Sequence, residues 1–238
     1  MPASTKDVET VESGFADSGG PGSTDVQPLV AGPGKQKDNS LLYAAGDVII
    51  WIAAQNTAGP VTGFEDISTL TGYYCCGWID TSGYIFKLDE TTKDIQGAGT
   101  LTALRTILTG GTKSVQATFL EGLNPYVRSL FDDVPIFPVT SSPLKATTTA
   151  PYMATYTIPD PPADNRYAFI WDSLDGTKQM RLYAPNCKVT ARGNDQPQQG
   201  DNENMDMTVT MYPGNVSGSV YVAKRWINYG KDMTGYFT

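Results

Sequence analysis

The chain is predicted to be mainly β, built from antiparallel strands, with one short flanking α-helix and extended arms at its two ends. Three observations predict this. From about residue 41 to 212 apolar residues recur with a period of two between clusters of turn residues, the pattern of half-buried antiparallel strands. Glycine and proline number 24 and 16 of 238 residues, and charged residues are 18%, below the roughly 25% of an average globular domain. Only one segment, LEGLNPYVRSLFDD, carries apolar residues at clear helical spacing. At this length a single all-β domain with arms is expected.

Residues 1–40 are rich in Gly, Pro, Ser and Asp, with scattered hydrophobes at Val8, Val11, Phe15, Leu29 and Val30. Such a segment cannot bury enough apolar surface to fold alone and reads as an arm laid over its own domain or a neighbour. LLYAAGDVIIWIAAQ is about 15 residues long and interrupted by Gly46 and Asp47. It falls short of the ~20 apolar residues that span a bilayer and is expected to form a buried strand with a bend, so no membrane role is predicted.

TGYYCCGWIDTSGYIFKLDE reads as a hairpin, with Asp80 to Gly83 turning the chain and Tyr, Cys and Trp packing the core. In ALRTILTGGTKSVQATFLE, Gly110-Gly111 is predicted to close a two-residue hairpin loop. Asn124 suits a helix N-cap, Pro125 the first helical position, and Val127, Leu130 and Phe131 share one face. YAFIWDSLDGTKQMRLY predicts a hairpin turning at Asp175-Gly176. Gly193–Asn204 has no apolar residue and reads as an exposed loop. MDMTVTMY alternates Met205, Met207, Val209 and Met211 with polar neighbours, a strand with one dry and one wet face. Residues 213–238 fit either a strand or a short helix stopped at Gly230.

Several chemistries are excluded or disfavoured. The absence of histidine removes imidazole-based triads and histidine zinc ligands. Three cysteines do not make a zinc or iron–sulfur set. Cys75-Cys76 lacks the C-x-x-C spacing, has no basic residue within ten positions to lower a thiol pKa, and should point to opposite strand faces. Core packing is the expected role of these cysteines, and of the methionine row that would otherwise suggest Cu(I).

The carboxylate pairs Glu65-Asp66, Asp89-Glu90 and Asp132-Asp133 are neighbours in sequence rather than a facing pair of glycosidase type. Asp201, Glu203 and Asp206 lack the EF-hand spacing, and DIQGAGTL reads as a bend rather than a phosphate cradle. No catalytic residue, metal or cofactor is expected. MPASTKDVETVESG has no basic n-region or apolar h-region, so a secretory signal is not expected.

The net charge is −8 with no Lys/Arg cluster, which argues against sequence-reading nucleic-acid binding. The charge is also uneven. Residues 1–40 carry six acids against three bases, and residues 213–238 carry one acid against three.

Taken in order, the 73–125 stretch runs through a Gly-Trp strand, a Ser-Gly turn, Asp94-Ile95 with Gly97 and Gly99, Leu104-Arg105-Thr106, a polar strand, and Leu120-Glu121 before Asn124-Pro125. This order resembles the major tail (tail tube) proteins of long-tailed bacteriophages, especially those infecting actinobacteria. The similarity continues more loosely through YTIPDPP and VTMYPG. Cys75-Cys76 and the long arm lie outside the resemblance.

The resemblance implies a β-sandwich of tail-tube fold over residues 41–212, with strands contributed to an oligomeric β-barrel. It implies hexameric rings stacked around a tape-measure protein, with tail terminator and tail-tip proteins as partners and genomic DNA passing through the lumen. The expected location is the virion, and the host cytoplasm during assembly. Asp80, Asp89, Asp94, Lys113, Gln116 and Thr118 are then candidates to face the lumen. Val8, Val11 and Phe15 of the 1–40 arm, and Lys224, Arg225 and Trp226 of the 213–238 segment, are candidates for contacts between subunits. A decoration or receptor-binding β-sandwich module, and less readily a carbohydrate-active sandwich enzyme, are the competing expectations.

Overall fold

The structure is a computed structural model that describes residues 39–60, 63–96, 98, 102–160, 162–195 and 203–234. The chain divides into two units, Leu41–Asp232 and a second made of Met1–Ser40 with Met233–Thr238. Val8, Val11 and Phe15 lie outside the described residues.

The Leu41–Asp232 unit is mainly β and antiparallel throughout. Its strands are β1 (Asp47–Ala54), β2 (Tyr74–Cys75), β3 (Ile79–Gln96) and β4 (Ala103–Phe119). One α-helix among the described residues, α1 (Pro125–Asp132), follows them. Then come β5 (Tyr167–Asp175), β6 (Lys178–Arg192), β7 (Met205–Tyr212), β8 (Gly214–Val216), β9 (Ser219–Tyr221) and β10 (Lys224–Asn228). Eight strands join in one sheet of order β2-β1-β5-β6-β7-β4-β3, with β10 also on β6, while β8 and β9 form a separate two-stranded sheet.

The long β6 organises the sheet. One edge of β6 pairs with β5, from Asp175↔Lys178 to Tyr167↔Cys187. Its remaining pairings divide by position: Gln179–Tyr183 take β10 and Asn186–Arg192 take β7. The chain reverses between β5 and β6 at Gly176-Thr177, where Gly176 has φ +58°, as Asp175-Gly176 predicted.

The core lies on one face of this sheet. Ile50 and Ile52 of β1, Phe169 and Trp171 of β5, and Val115, Ala117 and Phe119 of β4 meet Met205, Met207, Val209 and Met211 of β7. The methionine alternation thus forms the dry face expected of it. Phe169 and Trp171 stack with ring centroids 5.1 Å apart, a pair that adds about 1 kcal/mol beyond area burial. On the opposite face of β1-β5-β6, Ala53, Ala168, Ile170 and Tyr183 pack under the 57–73 segment with Ile67 and Tyr73. The hydroxyls of Tyr73 and Tyr183 donate to the carbonyls of Ala58 and Thr57, fixing that segment.

Helix α1 forms as its sequence dictates. Asn124 Oδ1 accepts from the Tyr126 N–H at 3.0 Å, Pro125 begins the helix, and Val127 and Leu130 are buried in the main core. The helix ends at Asp133 in the left-handed region, φ 56°, whose N–H donates to the Ser129 carbonyl. Tyr167 and Ser129 hydroxyls meet at 3.0 Å, joining the helix to β5, and burial pushes the Tyr167 phenol up to about 12.

Three local expectations are corrected. Gly110 and Gly111 are not a turn; they lie inside β4, opposite Thr91 and Glu90, and the chain reverses later, between Gln96 and Ala103. Glycine accepts extended geometry as readily as a turn, so the doublet is compatible with either. Asp80–Gly83 does not reverse the chain either. It is an irregularity within β3, where six residues from Ile79 to Tyr84 span three of β4, Phe119 to Ala117. Asp80 Oδ1 accepts from the Ser82 N–H at 2.8 Å and Gly83 takes φ +69°, so turn chemistry is spent on a bulge. Trp78, placed in the core from sequence, is 73% exposed. The described part of the 213–238 segment forms three short strands, β8, β9 and β10, with Gly230 at φ +70° just beyond.

Candidate functional site

The surface that most needs an explanation is the β3–β4 pair. The two strands stay paired from Ile79↔Phe119 to Gln96↔Ala103, but β7 supports β4 only over Lys113–Phe119. Beyond Lys113, residues 89–96 and 103–111 form a two-stranded ribbon exposed along nearly its whole length. Two-stranded ribbons are marginal alone in water. This one nonetheless carries Ile95, Leu104 and Leu108 at 44, 68 and 62% exposure, with Leu88 at its base 52% exposed.

Pairing sorts these residues by face. Tyr84 and Phe86 pack against the core, and their face continues through Leu88, Glu90, Thr92 and Asp94, with Lys113, Leu108 and Thr106 as cross-strand partners. The other face carries Ile85, Lys87, Asp89, Lys93 and Ile95 opposite Gln116, Ser114, Thr112, Ile107 and Arg105. A register shift at Thr109 and another at Leu104 bend the ribbon.

The six lumen candidates therefore divide. Asp89, Gln116 and Thr118 share the outer face, where Lys87 Nζ donates to Gln116 Oε1 at 2.8 Å and the Thr118 hydroxyl donates to Asp206. Lys113 and Asp94 lie on the core-side face, and Asp94 accepts from the Thr106 hydroxyl at 2.6 Å. Asp80 sits in the bulge. Backbone and hydroxyl donors of Ser82 hold its carboxyl below the usual range. Lys224, Arg225 and Trp226 lie on β10, in register with Tyr183, Leu182 and Arg181 of the same chain. The Trp226 ring packs on Gly63, where an added Cβ would come within 2.3 Å of it, and Arg225 lies 5.0 Å over Phe86.

Several of the cysteines and carboxylates singled out by sequence make packing or hydrogen-bond contacts within the fold. Cys76 and Cys187 are fully buried, and burial pushes both thiols up; Cys75 is half-buried at the end of β2 opposite Trp51, while Cys76, just beyond the strand, joins the main core. Asp66 caps a turn through Ser68, Asp132 accepts from Tyr156 at 2.7 Å, and Asp133 lies 3.5 Å from Arg192. Arg128 holds Asp195 at 2.8 Å and Glu203 at 2.5 Å, while Asp201 is outside the described residues. Among the described residues no group of three potential metal ligands converges, and no helix is long and apolar enough to cross a membrane.

Sequence reasoning missed Leu88, Leu104 and Leu108 as surface determinants, because reading Gly110-Gly111 as a loop cut the ribbon in two. The usable signal was the run LRTILT, apolar residues in a polar strand with no loop residue on either side of the doublet. No protein-family model matches the chain, and comparison with curated proteins finds no match.

Proposed function

We propose that this chain is a non-enzymatic structural subunit of a bacteriophage tail tube, in which hexameric rings stack into the conduit for genome DNA. The observation that carries the reading is the β3–β4 ribbon. A long two-stranded extension with open edges and exposed leucines is a liability in an isolated molecule and an asset in a polymer. Neighbouring copies that cover it remove both the apolar surface and the unpaired edge. Heterologous contacts that close by rotation give rings, and the same kind of contact repeated without closure gives a filament. In this reading the strands of several subunits complete a barrel, and the 41–212 region acts as the sandwich-like wall unit.

The acidity of the chain fits a conduit for DNA. A wall with net negative charge repels phosphate over roughly a Debye length of 8–10 Å, so cargo slides without counterion-release binding. Asp89, Gln116 and Thr118 are the residues of the outer face proposed to line the lumen; Lys87, Lys93 and Arg105 share that face, so the repulsion is assigned to the net charge of −8 on each copy and not to this face alone. Tape-measure, terminator and tail-tip proteins are its proposed partners, and the virion its location.

Negative-stain microscopy of the purified protein tests the reading. Tubes or stacked rings support it. Discrete particles would instead favour a decoration or receptor-binding module, and glycan turnover would point to a carbohydrate-active enzyme.

A further inference from the structure

Between β10 and the base of the ribbon the core opens into a continuous groove. Three hollows of about 280, 330 and 630 Å³ adjoin there: the first two share Phe86, Leu182 and Arg225, and the second and third share Lys113 and Val222. The floor is apolar. Three cations line it: Arg181, which is paired with Asp172, Arg225, lying over Phe86, and Lys113, on the core-side face of β4; the last two make no ion pair among the described residues. The one acid along it, Glu90, stands at the ribbon end. β10 is hydrogen-bonded into the sheet through β6 alone, and its neighbours Val222 and Ala223 line the groove.

We infer that this groove receives the Asp7–Phe15 segment of a neighbouring copy of the chain. The chemistry matches on both counts. Asp7, Glu9 and Glu12 place three acids in nine residues with no base among them, opposite in sign to Lys113 and Arg225. Val8, Val11 and Phe15 recur at i, i+3 and i+7, the anchor spacing of a segment that lays one apolar face into a groove. Reach is not limiting, because the residues between Phe15 and Ser40 can extend up to about 80 Å at 3.3–3.6 Å each. The inference deepens the tube reading by naming one contact between subunits, but it needs only a second copy and not a tube.

Zero-length carbodiimide coupling of the full chain tests it, using an equal mixture of ¹⁴N- and ¹⁵N-labelled protein with mass-spectrometric identification of the linked peptides. The expected product joins Glu9 or Glu12 of one isotope to Lys113 of the other. Its yield should fall at least tenfold in full-length Glu9→Lys/Glu12→Lys and in Lys113→Glu/Arg225→Glu taken separately, and return when those two variants are mixed. Links only within one isotope, or recovery only when all four substitutions share a chain, would place the segment on its own subunit and overturn the inference. Tubes of normal appearance without the mixed-isotope link would overturn it while leaving the tube reading intact. The link in discrete particles would sustain it and remove the tube. The wild-type link requires no variant to fold, and thermal melts of the variants separate lost docking from lost structure.

Discussion

Arg181 of β6 grips Asp172 of β5 with both arms of its guanidinium, Nε to Oδ1 at 2.5 Å and Nη2 to Oδ2 at 2.7 Å, and both side chains are almost fully buried. The remaining nitrogen, Nη1, donates to the carbonyls of Gly63 and Glu65 at 2.9 Å each. One side chain thus ties the sheet to the segment covering its outer face. Removing one partner leaves a buried charge uncompensated, which costs about 3–5 kcal/mol. Asp172→Ala is expected to lower stability by that amount in urea unfolding and to expose the 57–73 segment to limited proteolysis. Replacing both residues with apolar ones of similar volume should recover much of the sheet's stability without re-tying the segment.

The acid response should come from other carboxylates. Burial raises the Asp172 carboxyl despite Arg181, so the native state takes up that proton before the unfolded chain does, and this group favours folding as pH falls. Asp164 has the opposite sign. Lys188 donates to it at 3.0 Å and Arg166 at 3.2 Å, and these bonds hold its carboxyl below the usual range. Its contribution is present above the ordinary carboxylate pKa and is lost as pH falls through the lowered folded value. Asp164→Asn should therefore melt slightly below wild type at pH 7, with the gap closing by about pH 2 and shrinking in about 1 M salt. A gap that persisted in acid would assign the effect to shape rather than charge.

The contrast between these two sites explains what could be read from sequence. The β7 alternation, the Asn124 cap and the Gly176 turn were legible because each is decided by residues within one element. Gly110-Gly111 and Asp80–Gly83 were not, because the same chemistry serves a hairpin, a bulge or a plain strand, and the partner strand chooses among them. The Arg181 anchor was invisible for a related reason: its carbonyl partners lie more than a hundred residues away. At the candidate site, β3 and β4 fell within the stretch that carried the resemblance, yet the ribbon's length emerged only from where β7 stops supporting β4.

The cysteines give a direct check on the packing role. With Cys76 and Cys187 buried and their thiols raised, a thiol-specific reagent should label no more than one group per native chain, Cys75, and three in denaturant. Cys75→Ser should be close to neutral, while Cys76→Ser, which puts a hydroxyl into the core, should cost on the order of 1–3 kcal/mol. Rapid labelling of two native thiols, or a metal retained through dialysis, would reopen a chemical role for the pair.

The ribbon makes the sharpest separation between folding and assembly. Leu104 and Leu108 are 68 and 62% exposed, so a charge at either position has little native packing to disturb. Leu104→Lys and Leu108→Lys should leave the melting transition of the single chain nearly unchanged, within about 0.5 kcal/mol. If neighbouring copies cover the ribbon, each substitution buries a charge in an apolar contact at every repeat of the polymer. Sedimentation and negative-stain images should then show assembly abolished in protein that is otherwise folded. Conversely, Phe86→Ala, at the root of the same strand pair but packed on the core, should lower stability first and assembly only as a consequence. If the leucine variants assembled like wild type, the ribbon would lose its place as the contact between copies.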